Sequence, residues 1–220
     1  MGMLSDKKLV LFTFDYELFL GKKSGSVESC LIIPTKQLLS VLHTYKFKAV
    51  FFIDTVYLLR LKEIAQQYPR AANDLALISE QLKTIVEDGH YIFPHLHPHW
   101  LDADYLPDVN EWSLTNLRYY QFSSLPKEKQ DYLFENSIAT IQSVVQNIKT
   151  DYKIDSYRAG GWSIQPFEYF KPQFLKNGIY NEWSVIPGNY LISDAHTFDF
   201  RNAPVDLPVY HYNDDVCLES

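Results

Sequence analysis

Residues Leu9 to Phe14 read Leu-Val-Leu-Phe-Thr-Phe, and Asp15, Tyr16 and Glu17 follow them directly. An apolar run of this length is typical of a strand that is buried on both faces in a parallel sheet. The two acids then stand at the carboxyl end of the strand, where open α/β sheets and α/β barrels place their functional sites. Because they are two residues apart, their side chains point to the same side if the extended conformation continues. Two acids at the start of a solvated loop are the alternative.

A second segment is rich in histidine. Residues 89–100 read Gly-His-Tyr-Ile-Phe-Pro-His-Leu-His-Pro-His-Trp and hold four of the seven histidines of the chain. Neutral imidazole is a common metal ligand, and the alternating His95, His97 and His99 could all share one face of a strand. If the strand ends near His95, then His95 and His99 still converge as an H-x-x-x-H pair. The pattern predicts a divalent metal site with a carboxylate as a further ligand, and a run of hydrogen-bonded histidines is the alternative.

Strand and helix patterns alternate along the whole chain, without an internal repeat or an evident domain boundary. Strands are predicted at 9–14, 48–54, in the histidine-rich segment, and at 155–158, 179–185 and 205–210; helices are predicted at 34–45, 56–67, 73–88, 127–148 and 166–177. Such alternation predicts one α/β domain over residues 1–220, built as an incomplete or distorted (β/α) barrel of about seven parallel strands. Asp54 ends the second strand and is expected to cap the helix that follows.

The ordered motifs resemble those of the polysaccharide deacetylases, carbohydrate esterase family 4. The first family motif, T-F-D-D-G, corresponds to residues 13–17, where Asp15 matches the catalytic base and Tyr16 replaces an Asp that binds metal in most members. Glu17 is therefore predicted to be the carboxylate ligand. The second motif, G-H-x-I-x-x-H-[ST]-x-x-H, aligns with residues 89–99. The resemblance assigns metal binding to His95 and His99, and it gives His97 no metal role.

The third motif of the family, R-x-P-x-G, corresponds to residues 158–162, which read Arg-Ala-Gly-Gly-Trp, so that Gly160 replaces the proline. The resemblance gives Arg158 the role of holding and orienting the base. The fifth motif, which carries the general acid, has no clear counterpart, and His196 and His211 are the candidates for that role. A shorter subgroup, associated with surface-polysaccharide biosynthesis, is most similar because it also has H-x-H-P-H-W and R-A-G-G forms.

Composition narrows the class of protein further. With 46% hydrophobic and 21% charged residues, the chain is not of the disordered type. A net charge of −7 argues against a nucleic-acid partner. No apolar segment is long enough to span a membrane, and the first residues do not resemble a signal peptide, so a cytoplasmic protein is predicted. The sequence does not indicate an oligomeric state.

Together with these patterns, the resemblance implies a metal-dependent carbohydrate N-deacetylase. Zinc is the preferred metal, and the substrate is expected to be an N-acetylated sugar, as a small molecule or an oligosaccharide. Trp100, Trp162 and Trp183 lie near the motifs and are candidates for stacking on sugar rings. Two alternatives stay open. One is a C–N hydrolase of the same fold that acts on a cyclic amide, and the other is a noncatalytic carbohydrate-binding relative.

Overall fold

The computed structural model describes residues 10–21 and 23–220. The elements are, in chain order, β1 (Thr13–Tyr16), α1 (Ile33–Thr44), β2 (Val50–Asp54), α2 (Thr55–Ile64), α3 (Pro69–Glu87), β3 (Tyr91–Leu96), β4 (Asp104–Leu106), β5 (Glu111–Ser113), α4 (Lys127–Val145), β6 (Ser156–Ala159), α5 (Lys171–Asn177), β7 (Asn181–Glu182), β8 (Tyr190–Ile192) and β9 (Thr197–Asp199). Strands β1, β2, β3, β6 and β7 form one parallel sheet in that order, whereas β4–β5 and β8–β9 are two small antiparallel hairpins.

Helices α2, α3 and α4 pack against β3 and against one another. In α3, Ile78, Leu82 and Ile85 recur at helical spacing and are almost completely buried. Helix α2 starts directly after β2 because the Asp54 carboxylate accepts a hydrogen bond from the Tyr57 N–H at 3.2 Å, which confirms the predicted cap. These contacts hold the carboxyl ends of the central strands in place.

The sheet is strongly curved. Strands β1 and β6 are separated by β2 and β3, so in a flat sheet they would be ~14 Å apart, three spacings of ~4.8 Å. Arg158 of β6 nevertheless donates hydrogen bonds to Asp15 at 2.6 Å and to Thr13 at 2.9 Å, both on β1. Its guanidinium lies over the Phe52 ring of β2, 4.2 Å from the centroid. One side chain can bridge these strands only because the sheet curls around it.

The structure confirms an α/β fold with a parallel central sheet, and the helices predicted at 34–45, 56–67, 73–88 and 127–148 form with ends shifted by a few residues. The described residues include five parallel strands where about seven were expected, so closure into a barrel stays a prediction.

Three predicted strands differ from the structure, and the one expected at 179–185 is reduced to Asn181–Glu182. The segment 205–210 forms no strand, because Pro204 and Pro208 cannot donate to a ladder, and Val205 and Val209 are 70% and 80% exposed. The first strand begins at Thr13 and continues to Tyr16, later than predicted, and Leu9 lies outside the described residues. None of the helices in the described part of the chain combines the length and the apolar character needed to cross a bilayer.

Candidate metal centre

The side chains of Glu17, His95 and His97 meet at the end of the sheet where the parallel strands finish. Asp54, His95 and Arg158 are lateral neighbours in the register of β2, β3 and β6, and Glu17 follows β1 at the same end of the sheet. The Glu17 Oε2 atom lies 3.2 Å from His95 Nε2 and 2.7 Å from His97 Nε2, and the two Nε2 atoms are 3.0 Å apart. Both rings are almost completely buried. The three atoms therefore form a small triangle of potential ligands, which we call the Glu17–His95–His97 cluster.

The hydrogen bonds of His95 indicate that this cluster could hold a cation. Its Nδ1 atom lies 2.9 Å from the Arg158 carbonyl oxygen, which only accepts hydrogen bonds, so Nδ1 carries a proton. In the neutral ring, Nε2 then presents a lone pair to the Glu17 carboxylate. That arrangement is repulsive unless a second proton on the ring or a metal ion stands between the two groups. Burial lowers the pKa of His95, but the hydrogen bond and the charge of Glu17 outweigh it, and the net shift is upward.

A divalent metal fits these three donors. Two imidazole nitrogens and one carboxylate oxygen are a common donor set for a hydrolytic zinc ion, and they leave one position open. Ligands at the usual zinc distances define a tetrahedron with edges of about 3.3 Å, close to the separations in the cluster. Within the described residues, His97 Nε2 lies 2.7 Å from the Glu17 carboxylate and the buried Nδ1 atom has no hydrogen-bond partner, so without an ion the proton of His97 is favoured on Nε2. An ion at this position would take the place of that proton and would be bound by the Nε2 lone pair.

The third member of the cluster differs from the sequence prediction, which named His99 and gave His97 no metal role. Strand β3 ends at Leu96, and a 3-10 turn, Pro98–Asp102, starts immediately after His97. The turn directs His99 away from the triangle, so that Glu17 and His95 come together with His97 and not with His99. The assignment of His99 as a ligand stays a prediction that the arrangement of the described side chains does not favour.

Gly160 makes the space that His97 occupies. An added Cβ atom at Gly160 would lie 2.4 Å from the Leu96 carbonyl oxygen and 2.7 Å from His97 Nδ1. Any side chain here would therefore collide with the strand end and with the imidazole ring.

His99 is buried beside the cluster in an unusual state. It is 1% exposed, and neither ring nitrogen has a hydrogen-bond partner among the described residues. Burial lowers the pKa of this imidazole to about 3, which keeps it neutral. Its ring stacks on Tyr120, with 5.2 Å between centroids and an interplanar angle of 9°. A neutral imidazole always carries one N–H, so His99 holds an unsatisfied donor next to the cluster.

The Asp15–Arg158 pair lies beside the cluster, as the motif order predicted. All three guanidinium nitrogens are engaged: one with Asp15 Oδ1, one with Thr13 Oγ1, and Nε with the Trp183 carbonyl oxygen at 3.1 Å. The Asp15 side chain is 30% exposed, whereas that of Arg158 is 13% exposed. The arginine is therefore fixed from three sides and holds one oxygen of a carboxylate that solvent can reach.

Asp54 supports the turn that carries the histidines. Its Oδ2 atom accepts a hydrogen bond from the Trp100 indole N–H, while Oδ1 caps α2. Burial is the main cause that raises the pKa of Asp54 to about 6. The fully buried Trp100 stacks against His99 and packs against Tyr57. The sequence predicted the cap but not the link to Trp100, which only the three-dimensional course of the turn reveals.

The two candidates for a general acid occupy different places. The His196 ring stacks on Tyr120 with 4.4 Å between centroids, and the charge of His97 contributes to lowering the His196 pKa after burial. His211 is exposed in the C-terminal segment. Sequence reasoning missed Tyr120 entirely, because a tyrosine in an irregular loop far from the motifs gives no signal.

Neither the protein-family models nor the curated proteins compared with this chain give a match. The function is therefore argued from the side chains at the carboxyl end of the sheet.

Proposed function

We propose that this protein is a metal-dependent hydrolase that removes an acetyl group from an N-acetylated sugar. The observation that carries the proposal is the pairing of two distinct units at one end of the sheet. One is the Glu17–His95–His97 cluster, whose donors suit a divalent ion, and the other is a carboxylate held by Arg158. Metal-assisted hydrolysis commonly combines a ligand set with a separate base. The curved sheet is also compatible with the incomplete (β/α) barrel that the family resemblance implies.

The ligands and the base have separate tasks. Glu17, His95 and His97 would hold the ion, for which zinc is the preferred identity given two nitrogen donors and one oxygen donor. When bound, the ion would act as a Lewis acid toward the acyl oxygen and the attacking water. The Arg158 carbonyl keeps the proton of His95 on Nδ1 and so directs Nε2 at the ion.

Asp15 would accept the proton of the attacking water. Its Oδ1 atom is engaged by Arg158 at 2.6 Å, which leaves Oδ2 to face the substrate. Because the guanidinium is itself fixed by Thr13 and by the Trp183 carbonyl, the carboxylate cannot rotate freely. A base held in one orientation saves the entropy of positioning it for each turnover.

An exposed aromatic face near the centre fits a sugar ring. Trp162 is 42% exposed, and its backbone has a φ of 57°, a left-handed conformation that is strained for a bulky residue. Such strain is concentrated at binding sites. Trp183 is half-buried, and Trp100 is completely buried and cannot stack on a ligand. Of the three tryptophans considered from the sequence, Trp162 is thus the one best placed to meet a pyranose.

Acetate release by the zinc-loaded protein tests the proposal. The panel comprises nucleotide-linked and lipid-linked N-acetyl sugars, chito-oligomers and cyclic amides. We expect acetate from at least one N-acetyl sugar, no release by Asp15→Asn at unchanged zinc content, and full activity of Asp206→Asn, an exposed control. Cyclic amides release no acetate, so their ring opening is followed by mass spectrometry, and ring opening without acetate release from any N-acetyl sugar would support the C–N hydrolase alternative. Binding without any release would support a noncatalytic carbohydrate-binding protein.

A further inference from the structure

Tyr120 is clamped beside the metal centre. It lies on the irregular segment between β5 and α4, far in sequence from the motifs. Its ring stacks on His99, at 5.2 Å and 9°, and on His196, at 4.4 Å and 25°. The His97 ring meets it edge-on at 5.9 Å. Three imidazoles therefore fix the position of one phenol next to the cluster.

Gly161 provides the space for this phenol. Its φ of 57° is in the left-handed region, and an added Cβ atom would lie 2.7 Å from Tyr120 Cε1 and 2.9 Å from Tyr120 Oη. The same atom would lie 3.2 Å from His196 Nε2. Gly160 and Gly161 therefore act in the same way, the first admitting His97 and the second admitting Tyr120. The positions of His97 and Tyr120 thus explain why glycine occupies both residues 160 and 161.

The Tyr120 hydroxyl is available to a ligand. Two other tyrosines have hydroxyls that are engaged by the protein: Tyr16 donates to Gln81 at 2.9 Å, and Tyr152 donates to the Ile92 carbonyl at 2.9 Å. For Tyr120 Oη, the described residues supply no such partner. Burial, followed by the charges of Glu17 and Asp54, raises the pKa of this phenol to about 12. The group is thus a hydrogen-bond donor at neutral pH.

We infer that the Tyr120 hydroxyl donates a hydrogen bond to the acyl oxygen of the substrate, a contact that strengthens as that oxygen becomes an oxyanion. The inference rests on the proposed function, because it assumes that an acyl group reaches the Glu17–His95–His97 cluster. A donor that is held rigidly before the reaction needs no reorganisation when charge develops. The clamp by His99 and His196 provides that rigidity.

Tyr120→Phe tests the hydroxyl alone, because the phenyl ring retains the stack. With the zinc-loaded protein and the N-acetyl sugar turned over fastest, we expect kcat to fall ~100-fold with little change in KM, as for the loss of one oxyanion donor. Tyr119→Phe is the matched control. Tyr119 lies in the same segment with its ring under Arg118, at 4.3 Å, and it should behave as the wild type. A kcat of Tyr120→Phe within twofold of the wild type would overturn the inference.

A binding measurement separates this inference from the proposed function. The zinc-loaded proteins are titrated with ¹³C-acetate and followed by NMR, and we expect Tyr120→Phe to bind about tenfold more weakly than the wild type, the effect of one hydrogen bond. If the wild type turns over no substrate, the proposed function fails, but a tenfold difference in acetate affinity upholds the hydroxyl as a donor. Equal affinities, including no binding by either protein, would overturn it. So would loss of zinc from Tyr120→Phe, since the hydroxyl would then support the ligands and not the substrate.

Discussion

Replacing Gly160 with alanine should displace His97 from the Glu17–His95–His97 cluster. The added Cβ atom would lie 2.4 Å from the Leu96 carbonyl oxygen and 2.7 Å from His97 Nδ1, well inside the 3.4 Å at which ordinary contact begins. The carbonyl belongs to β3, whose pairing with β6 at Leu96 and Ala159 resists movement. The imidazole must therefore shift by at least several tenths of an ångström, and the contact with the carbonyl oxygen also forces a smaller movement of the backbone at residue 160. Overpacking of this kind costs ~1–3 kcal/mol of unfolding free energy.

The shift of His97 should reduce zinc affinity more than it reduces the stability of the folded protein. Ligand distances in a metal site tolerate only about 0.2 Å, so a displaced ring loses most of its bond. We expect zinc affinity to fall by at least ~10–100-fold, the effect of disturbing even an indirect support of a ligand. A competition titration with a chromogenic zinc indicator measures the affinity. Thermal unfolding measures the loss of stability, because each kcal/mol of unfolding free energy lowers Tm by about 2–4 °C in a chain of this size.

Two comparisons make this result decisive. Gly21→Ala is the control, because no atom lies within 4 Å of the added Cβ. If Gly160 acts through His97, the double variant Gly160→Ala/His97→Ala should bind zinc no more weakly than His97→Ala alone. Wild-type zinc affinity in Gly160→Ala, or losses that add up in the double variant, would refute the reasoning.

Three further predictions concern buried polar groups. His99→Phe should keep the stack on Tyr120, remove an unsatisfied N–H that costs ~1–3 kcal/mol, and leave zinc binding unchanged; loss of zinc in this variant would instead identify His99 as a ligand. Trp100→Phe should lower the unfolding free energy by ~1–3 kcal/mol, because the buried Asp54 carboxylate loses a donor, and urea unfolding would measure it. Burial raises the pKa of Glu182 from 4.5 to about 7, so this group favours the folded state below pH 4.5 and the advantage is lost as pH rises through 7. Glu182→Gln should therefore gain stability relative to the wild type between pH 5 and pH 8, and a constant difference would contradict that shift.

The sequence predicted the layout of the site because its signals are local. An apolar run followed by acids, and a histidine run after a helix, place side chains at strand ends, and parallel strands bring those ends together. In this way Asp15 and Arg158, 143 residues apart, were expected to meet, and they lie 2.6 Å apart. Their catalytic roles stay predictions.

Two features of the site were not predicted from the sequence: the presence of His97 in the cluster and the position of Tyr120. Both depend on where a strand ends and on the room that neighbouring residues leave. The choice between His97 and His99 is made where β3 stops at Leu96 and by the room that Gly160 leaves. Neither the end of the strand nor the room beside Gly160 can be judged from sequence spacing, because histidines two residues apart and histidines four residues apart can both bind one metal ion. Tyr120 reaches the site only through stacking with His99 and His196, a contact with no periodic signature.

The zinc stoichiometry of the purified protein tests the central claim most directly. After reconstitution with zinc and removal of the excess, elemental analysis should find about one zinc ion per chain in the wild type and little in His95→Ala, His97→Ala or Glu17→Gln. A wild-type protein that takes up no zinc would show that a proton, and not a metal ion, bridges Glu17 and His95. Full zinc content in His97→Ala would contradict the cluster described here.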